Sequence, residues 1–435
     1  MVTDSQGLAI STNLRSALRS GSPGVIDALN RFIDQAFYYG NQAEDAILQV
    51  LSADSTCAIA QAYAAAYYLS QETAIARRTA MLHLRAAQRY ARLATEREQW
   101  YINAISAWAR GAISEAINLH EAIAEKYPRD LISVQQGQYH YFYRGEAERL
   151  LKIAEKVLPA NVDNPHLHYL YGMIAFGLEQ CGELNQAMNV GLEAIALNRF
   201  DPWAQHAIGH VLEEQNRPEA GIIWMESHSD TWEECNSMLY THNWWHIALY
   251  YLALGNVEKV LELYDQHIWG RANPFSSKDQ VGAIATLLRL ELQGVNVGQR
   301  WNTLAPYLYP RLHEHALPFQ DLHYVYALAR AECTDWVNEL LQSLTLHAHR
   351  VPAESQYAWL HMTIPSARGL IAHAQSDWST AIAEIRPRLP KLHRIGGSHT
   401  QRKLFEQIYH HAVLQNEQGK KRYSRWQAMS HVKAG

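Results

Sequence analysis

The chain has 435 residues, with 38 Lys+Arg against 43 Asp+Glu and a formal net charge of −5. That length can bury a large core. The near-neutral balance and the lack of a phosphate-tracking basic run give the expectation of no nucleic-acid partner, with KKRYSR near the C-terminus read as a solvated tail.

At the start, MVTDSQGLAIS lacks the basic head and apolar stretch of a secretory signal. No segment reaches the roughly 18 apolar residues needed to cross a bilayer. The four cysteines, Cys57, Cys181, Cys235 and Cys333, are far apart and form no C-x-x-C. This fits a reducing compartment and argues against a thiolate zinc site. The expectation is a soluble, cytoplasmic protein with no membrane partner. Apolar residues recur at helical spacing, strand-like alternation is scarce, and several prolines mark segment boundaries, so an all-α chain is expected.

Residues 1–90 read as N-terminal helices and residues 91–270 as the clearest repeats. Trp244, Ile247, Ala248 and Tyr251 match the first helix of a tetratricopeptide unit, Gly255 its turn, and Val260 with Tyr264 its second helix. Earlier turns fall at Gly111, Gly145, Gly182 and Asn216, so successive turns lie 34, 37, 34 and 39 residues apart. The longest step carries the inserted SHSDTWEEC. Residues 271–435 read as a loop plus C-terminal helical repeats: GRANPFSSKDQ breaks the period, so 266–300 is expected as a loop over the groove. AQSDWSTAIAEI marks another unit. The expectation is one TPR-like α-α superhelix over residues 1–435, a solenoid curled around a central groove or enclosed pocket.

DPWAQHAIGHVLEE places His206 and His210 at i, i+4 with Glu213 close behind, and the next repeat does the same with His242 and His246. Residues four apart share a helix face, and first helices line the inner surface of such a solenoid. The four imidazoles are thus expected to converge as metal ligands for Zn, Fe, Mn or Cu, with Glu213 as general base. A metal-free polar site and plain helix packing are the alternatives, and Trp244 occupies a packing position. Carboxylate–histidine neighbours recur downstream: Asp265 with His267, Asp279, and Asp321 with His323. In RIGGSHTQRKLF, Ser398 and Arg402 read either as a turn with a helix cap or as an anion site at a helix N-terminus.

The runs GMIAFGLEQCG, DPWAQHAIGHVLEE, THNWWHIALYYLALG, LYDQHI, LLRLELQGVNVGQRW and IGGSHTQRKLF resemble the tetratricopeptide repeat protein 38 family, most densely from Gly172 to Trp301. The resemblance implies a TPR-like solenoid whose shared residues are His206, His210, Glu213, His242, Asn243, Trp245, His246, Asp265, His267, Asp279, Asp321, His323, Ser398, Gln401 and Arg402. The chain departs from the family at REQWY, where the family often has histidine after R-E-Q, and at Lys403, where the family usually has Asp. The resemblance carries no reaction with it.

Together these readings give an expected enzyme acting on a small molecule in a His-rich pocket, with or without a divalent metal, as a hydrolase, lyase or biosynthetic catalyst. Its catalytic set is His206, His210, Glu213, His242, His246, Asp279 and His323. Trp245, Asn243, His267, Asp265, Asp321, Ser398, Gln401 and Arg402 are its substrate contacts. The alternative is a protein- or peptide-binding scaffold without catalysis.

Overall fold

The computed structural model describes residues 23–432, with side chains described for 24–419. MVTDSQGLAIS and the side chains of KKRYSR lie outside the described residues. Among those described the chain is helical with short 3-10 and π segments, contains no strand, and has an isolated antiparallel bridge between Gly40 and Cys235. No described helix is long and apolar enough to cross a membrane. The chain divides into two compact units, 1–282 and 283–435, the division falling inside helix Ser277–Leu292.

In the first unit, TPR-like helix–turn–helix pairs stack in chain order. Leu167–Gln180 pairs with Leu184–Leu197, Pro202–Glu214 with Pro218–Glu226, and Ser237–Ala253 with Val257–Leu263. First helices of neighbouring pairs also touch, as Leu167–Gln180 does with Pro202–Glu214 and the latter with Ser237–Ala253. The turns explain the spacing read from the sequence. Gly111, Gly145, Gly182, Asn216 and Gly255 all hold positive φ, between 52° and 81°, just past a first helix. A left-handed residue there closes the helix and sends the chain back, which glycine does without steric cost. Each turn lets apolar faces meet: Ile208, Val211, Ile247 and Ala248 are almost wholly buried. Burial of an aliphatic side chain of that size contributes about 1.5–3 kcal/mol.

Segment 266–300 is a correction to the expected loop. It contains the end of a π turn, Tyr264–Ile268, and the helix Ser277–Leu292. Val281, Ile284, Leu287 and Leu288 share its buried side, and Gly294 (φ 82°) closes it as the repeat turns do. Pro274 and the flanking small residues hid a helix whose apolar spacing is regular.

The insert 227–235 also acquires a reason. The N-terminal helix Pro23–Tyr38 returns to it: Tyr38 Oη donates to the Thr231 carbonyl at 2.6 Å. The Asn41 and Asn236 amides donate to the carbonyls of Glu234 and Tyr39 at 3.0 and 2.7 Å. Tyr39 stacks on Trp203 at 5.2 Å between centroids, and Phe37 on Tyr169 at 5.3 Å. Helix Pro23–Tyr38 and the residue after it thereby strap the first helices of the central repeats.

The second unit repeats the same device. Pro318–Arg330 pairs with Thr334–Ala348 and Ile364–Ala374 with Trp378–Ile385, before the long helix His399–Val432. Glu332 (φ 58°) and Ser376 (φ 63°) take the turn positions without being glycine.

Candidate metal centre

Helix Pro202–Glu214 starts at Asp201, whose carboxylate accepts from the Trp203 and Ala204 amides at 3.1 and 3.0 Å, with Pro202 in the first turn. Helix Ser237–Ala253 starts at Asn236, whose side chain accepts from the Leu239 amide at 3.0 Å. Between them, Tyr250 Oη donates to the Gly209 carbonyl at 2.5 Å. A Cβ on Gly221 would lie 2.3 Å from the Tyr250 ring, so the missing side chain makes room for that ring. The two histidine-bearing helices are thus held at one spacing and register.

That register brings the two H-x3-H pairs together. One ring nitrogen from each of His206, His210, His242 and His246 lies within 4.8 Å of one from each of the others. His206 Nε2 is 3.1 Å from His210 Nε2 and 3.0 Å from His242 Nε2. His246 turns its Nδ1 to Glu213 Oε2 at 3.3 Å, and its buried Nε2 has no hydrogen-bond partner among the described residues. His210 Nδ1 faces Glu179 Oε1 at 3.8 Å. Three of the imidazoles are buried and His242 is half-buried.

This is the arrangement a cation needs. The Glu213 carboxylate holds the proton on the outer nitrogen, Nδ1, of His246, so that ring turns its Nε2 lone pair inward, and His210 faces His206 through Nε2. Lone pairs facing one another repel unless a proton or a metal ion lies between them. Burial, with the other imidazoles adding to it, pushes His206 well below the ordinary imidazole range, and burial beside His246 does the same to His242. A tetrahedral zinc site with Zn–N of 2.0–2.1 Å has N···N edges of about 3.4 Å. The residues present therefore fit a metal after an outward shift of a few tenths of an ångström.

Of the remaining residues singled out in the sequence, Trp245 belongs to this centre. It stacks on His242 at 5.1 Å and meets His246 edge-on at 4.9 Å. Asn243 is fully buried beside them in sequence, with neither amide atom hydrogen-bonded among the described residues. Trp244 instead stacks on His267 at 3.8 Å, and His267 Nδ1 also bonds Tyr240 Oη at 2.9 Å. Asp265 is exposed on the π turn. Asp279 accepts from the Asn273 amide at 2.8 Å, and burial pushes it up to about 6. These contacts give His267 and Asp279 structural roles of their own.

The other five lie in the second unit. His323 donates through Nδ1 to the Phe319 carbonyl at 2.7 Å and packs on Phe405. Asp321 pairs with His315, not with its sequence neighbour His323. Ser398 and Gln401 form a reciprocal helix cap at 3.2 and 2.9 Å, and Arg402 bonds the Gly397 carbonyl. The capping alternative accounts for that segment's contacts.

Sequence reasoning missed Glu179 and Trp203. Glu179 precedes the Gly182 turn by the same three residues that separate Glu213 from Asn216, a signal available from the repeat alignment. Trp203, 4.7 Å from the His206 ring, joins the centre to the Tyr39 strap, and only the fold shows it.

No family model matches the chain. Among solved structures, the human IFIT1 dimer with m7Gppp-AAAA is similar at 14% identity and a TM-score of 0.37, covering 95% of this chain and 99% of that one. A monomeric IFIT1 mutant with Gppp-AAAA is similar at 14% identity and 0.36, covering 95% and 100%. At this identity and TM-score the likeness carries no argument about this chain, and the capped oligonucleotides are ligands of those two proteins. The expectation of no nucleic-acid partner is nevertheless withdrawn, because a near-neutral net charge is no ground for exclusion.

Proposed function

We propose that the chain is a helical-repeat binding protein of the tetratricopeptide repeat protein 38 type, whose first unit is cross-linked by one divalent metal on His206, His210, His242 and His246. The observation that carries this reading is the closed donor set: four imidazoles converge where burial admits little solvent. Structural metal sites fill all four positions with protein ligands, whereas catalytic sites keep one open. An all-imidazole set suits zinc or copper, with iron next, and suits manganese least. Charge supports it too, since a divalent ion offsets the Glu179 and Glu213 carboxylates that face the rings. Metal bound only by the folded chain adds its binding free energy to folding.

Elemental analysis of the purified protein tests the proposal. One equivalent of metal is expected, lost in His206→Ala and in His242→Ala, with a lower Tm after chelation. Substoichiometric metal indifferent to both substitutions would overturn it.

A second reading, a metal-dependent enzyme for a small molecule, is favoured by one observation. His242 is the least buried ligand, and the nearby Glu213 side chain is 17% exposed. Release of His242 would leave three histidines, an open position and a carboxylate base. X-ray absorption separates the readings: four nitrogen ligands support the cross-link, and three with an exchangeable oxygen support the enzyme.

A further inference from the structure

In the second unit, three segments of different origin meet at one hydroxyl. A 3-10 stretch, Ala305–His313, leads into His315; helix Pro318–Arg330 carries Asp321 in its first turn; helix Thr334–Ala348 carries Ser343. His315 Nδ1 lies 2.6 Å from Asp321 Oδ2, and His315 Nε2 lies 2.7 Å from Ser343 Oγ. His315 and Asp321 are buried, while Ser343 is half-buried and open to solvent on one side. From that side His313 approaches, its Nδ1 2.9 Å from Ser343 Oγ and its Nε2 2.8 Å from the exposed Glu339 carboxylate.

Proton accounting gives the chain a direction. The Asp321 carboxylate accepts, so His315 Nδ1 carries the proton and its Nε2 offers a lone pair. Ser343 must then donate to His315. Its own lone pair is left to accept from His313 Nδ1–H. Ser343 Oγ thus sits between a base and a hydrogen-bond donor.

His315 holds φ 46°, the left-handed position that ends a helical segment, as Glu332 and Ser376 do, and this turn sets where its ring leaves the chain. Around it stand the His347 ring at 5.0 Å and the Trp359 ring at 6.3 Å, the latter meeting both imidazoles edge-on. Burial holds His347 down to about 4, so that ring is neutral near pH 7. Glu314, the other acid near Asp321, is bonded by Arg311.

We propose that Ser343 is a nucleophile toward small carboxylic esters, with His315 as its general base and Asp321 as the residue that positions His315. Ser343 Oγ adds to the ester carbonyl carbon as its proton passes to His315 Nε2. The bond to the alcohol oxygen breaks, and that oxygen leaves with the proton from His315. Water then adds to the acyl-serine by the same route, releasing the carboxylic acid and restoring the serine. His313 Nδ1, 2.9 Å from Ser343 Oγ, holds that hydroxyl in line with His315. None of this depends on the four-histidine centre.

The full chain is treated with a fluorophosphonate probe and with 4-nitrophenyl acetate, and modified peptides are mapped by mass. A single adduct on Ser343 is expected, absent in Ser343→Ala and at least 100-fold slower in His315→Gln. Circular dichroism confirms that each variant folds. Asp321→Asn should displace the pH profile of labelling, with partial recovery in Asp321→Glu, which a merely structural carboxylate would not produce. Should the His315 variant fail to fold, the unmodified chain still decides: labelling that rises through one ionisation supports the triad, and a rate linear in hydroxide overturns it. No adduct on Ser343, or an equal rate in folded His315→Gln, also overturns it.

Discussion

His246 turns its Nδ1 toward the Glu213 carboxylate, 3.3 Å away, and keeps its Nε2 buried among three other imidazoles. A carboxylate in that place fixes the tautomer and raises the basicity of the inner nitrogen. Glu213→Gln is therefore expected to weaken metal affinity by about 10- to 100-fold while leaving the four ligands in place. Competition against a chromophoric chelator measures this, and unchanged affinity would remove Glu213 from the centre.

Tyr250 reaches across to the Gly209 carbonyl through the space left by Gly221. Gly221→Ala drives a methyl into that ring and is expected to cost about 1–3 kcal/mol. Tyr250→Phe loses one hydrogen bond, worth about 1 kcal/mol. Both act on the same ring, so the double variant should fall short of the sum. Urea unfolding of the three variants checks this, and strict additivity would show that the two sites are independent.

Burial holds His120 and His323 down to about 4 in the folded chain. Unfolded, each would titrate near 6.5. Between those values the unfolded chain binds more protons, so stability falls as pH drops from about 6.5 toward 4 and levels off below. Each residue contributes on the order of a few kcal/mol to that loss. The urea midpoint should be flat from pH 8 to 7 and decline from pH 6.5 to 5. His120→Gln, which can still bond Ser133, should reduce the slope. A slope unchanged in that variant would assign the acid sensitivity elsewhere.

Ser376 occupies a helix-ending turn at φ 63° and is exposed. Glycine removes the Cβ penalty there but gives back entropy in the unfolded chain. Ser376→Gly should raise stability by a few tenths to about 1 kcal/mol. Thermal unfolding decides, and a lower Tm would show that the serine side chain matters more than its backbone.

Helical class, repeat period and the five turn positions were legible because they are local. Each depends on apolar spacing and on a residue that tolerates positive φ, as Gly182 and Gly255 do. The helix Ser277–Leu292 was hidden by the turn-forming residues before it. Convergence of His206, His210, His242 and His246 could be anticipated from i, i+4 spacing on neighbouring repeats, since stacking places equivalent faces together. Asp321 shows the limit: sequence paired it with His323 two residues away, while the fold pairs it with His315. Side chains two apart on a helix point to different faces.

By itself the sequence determined the local elements: the helical class, the repeat period, five turn positions, and which residues share a face. Those follow from local sterics and capping, which operate within a few residues. Only the tertiary structure decided the partners: Glu213 behind His246, Tyr39 over Trp203, Ser343 against His315. Distances between atoms on different helices depend on packing angle and register, and those are settled by the whole set of buried side chains at once.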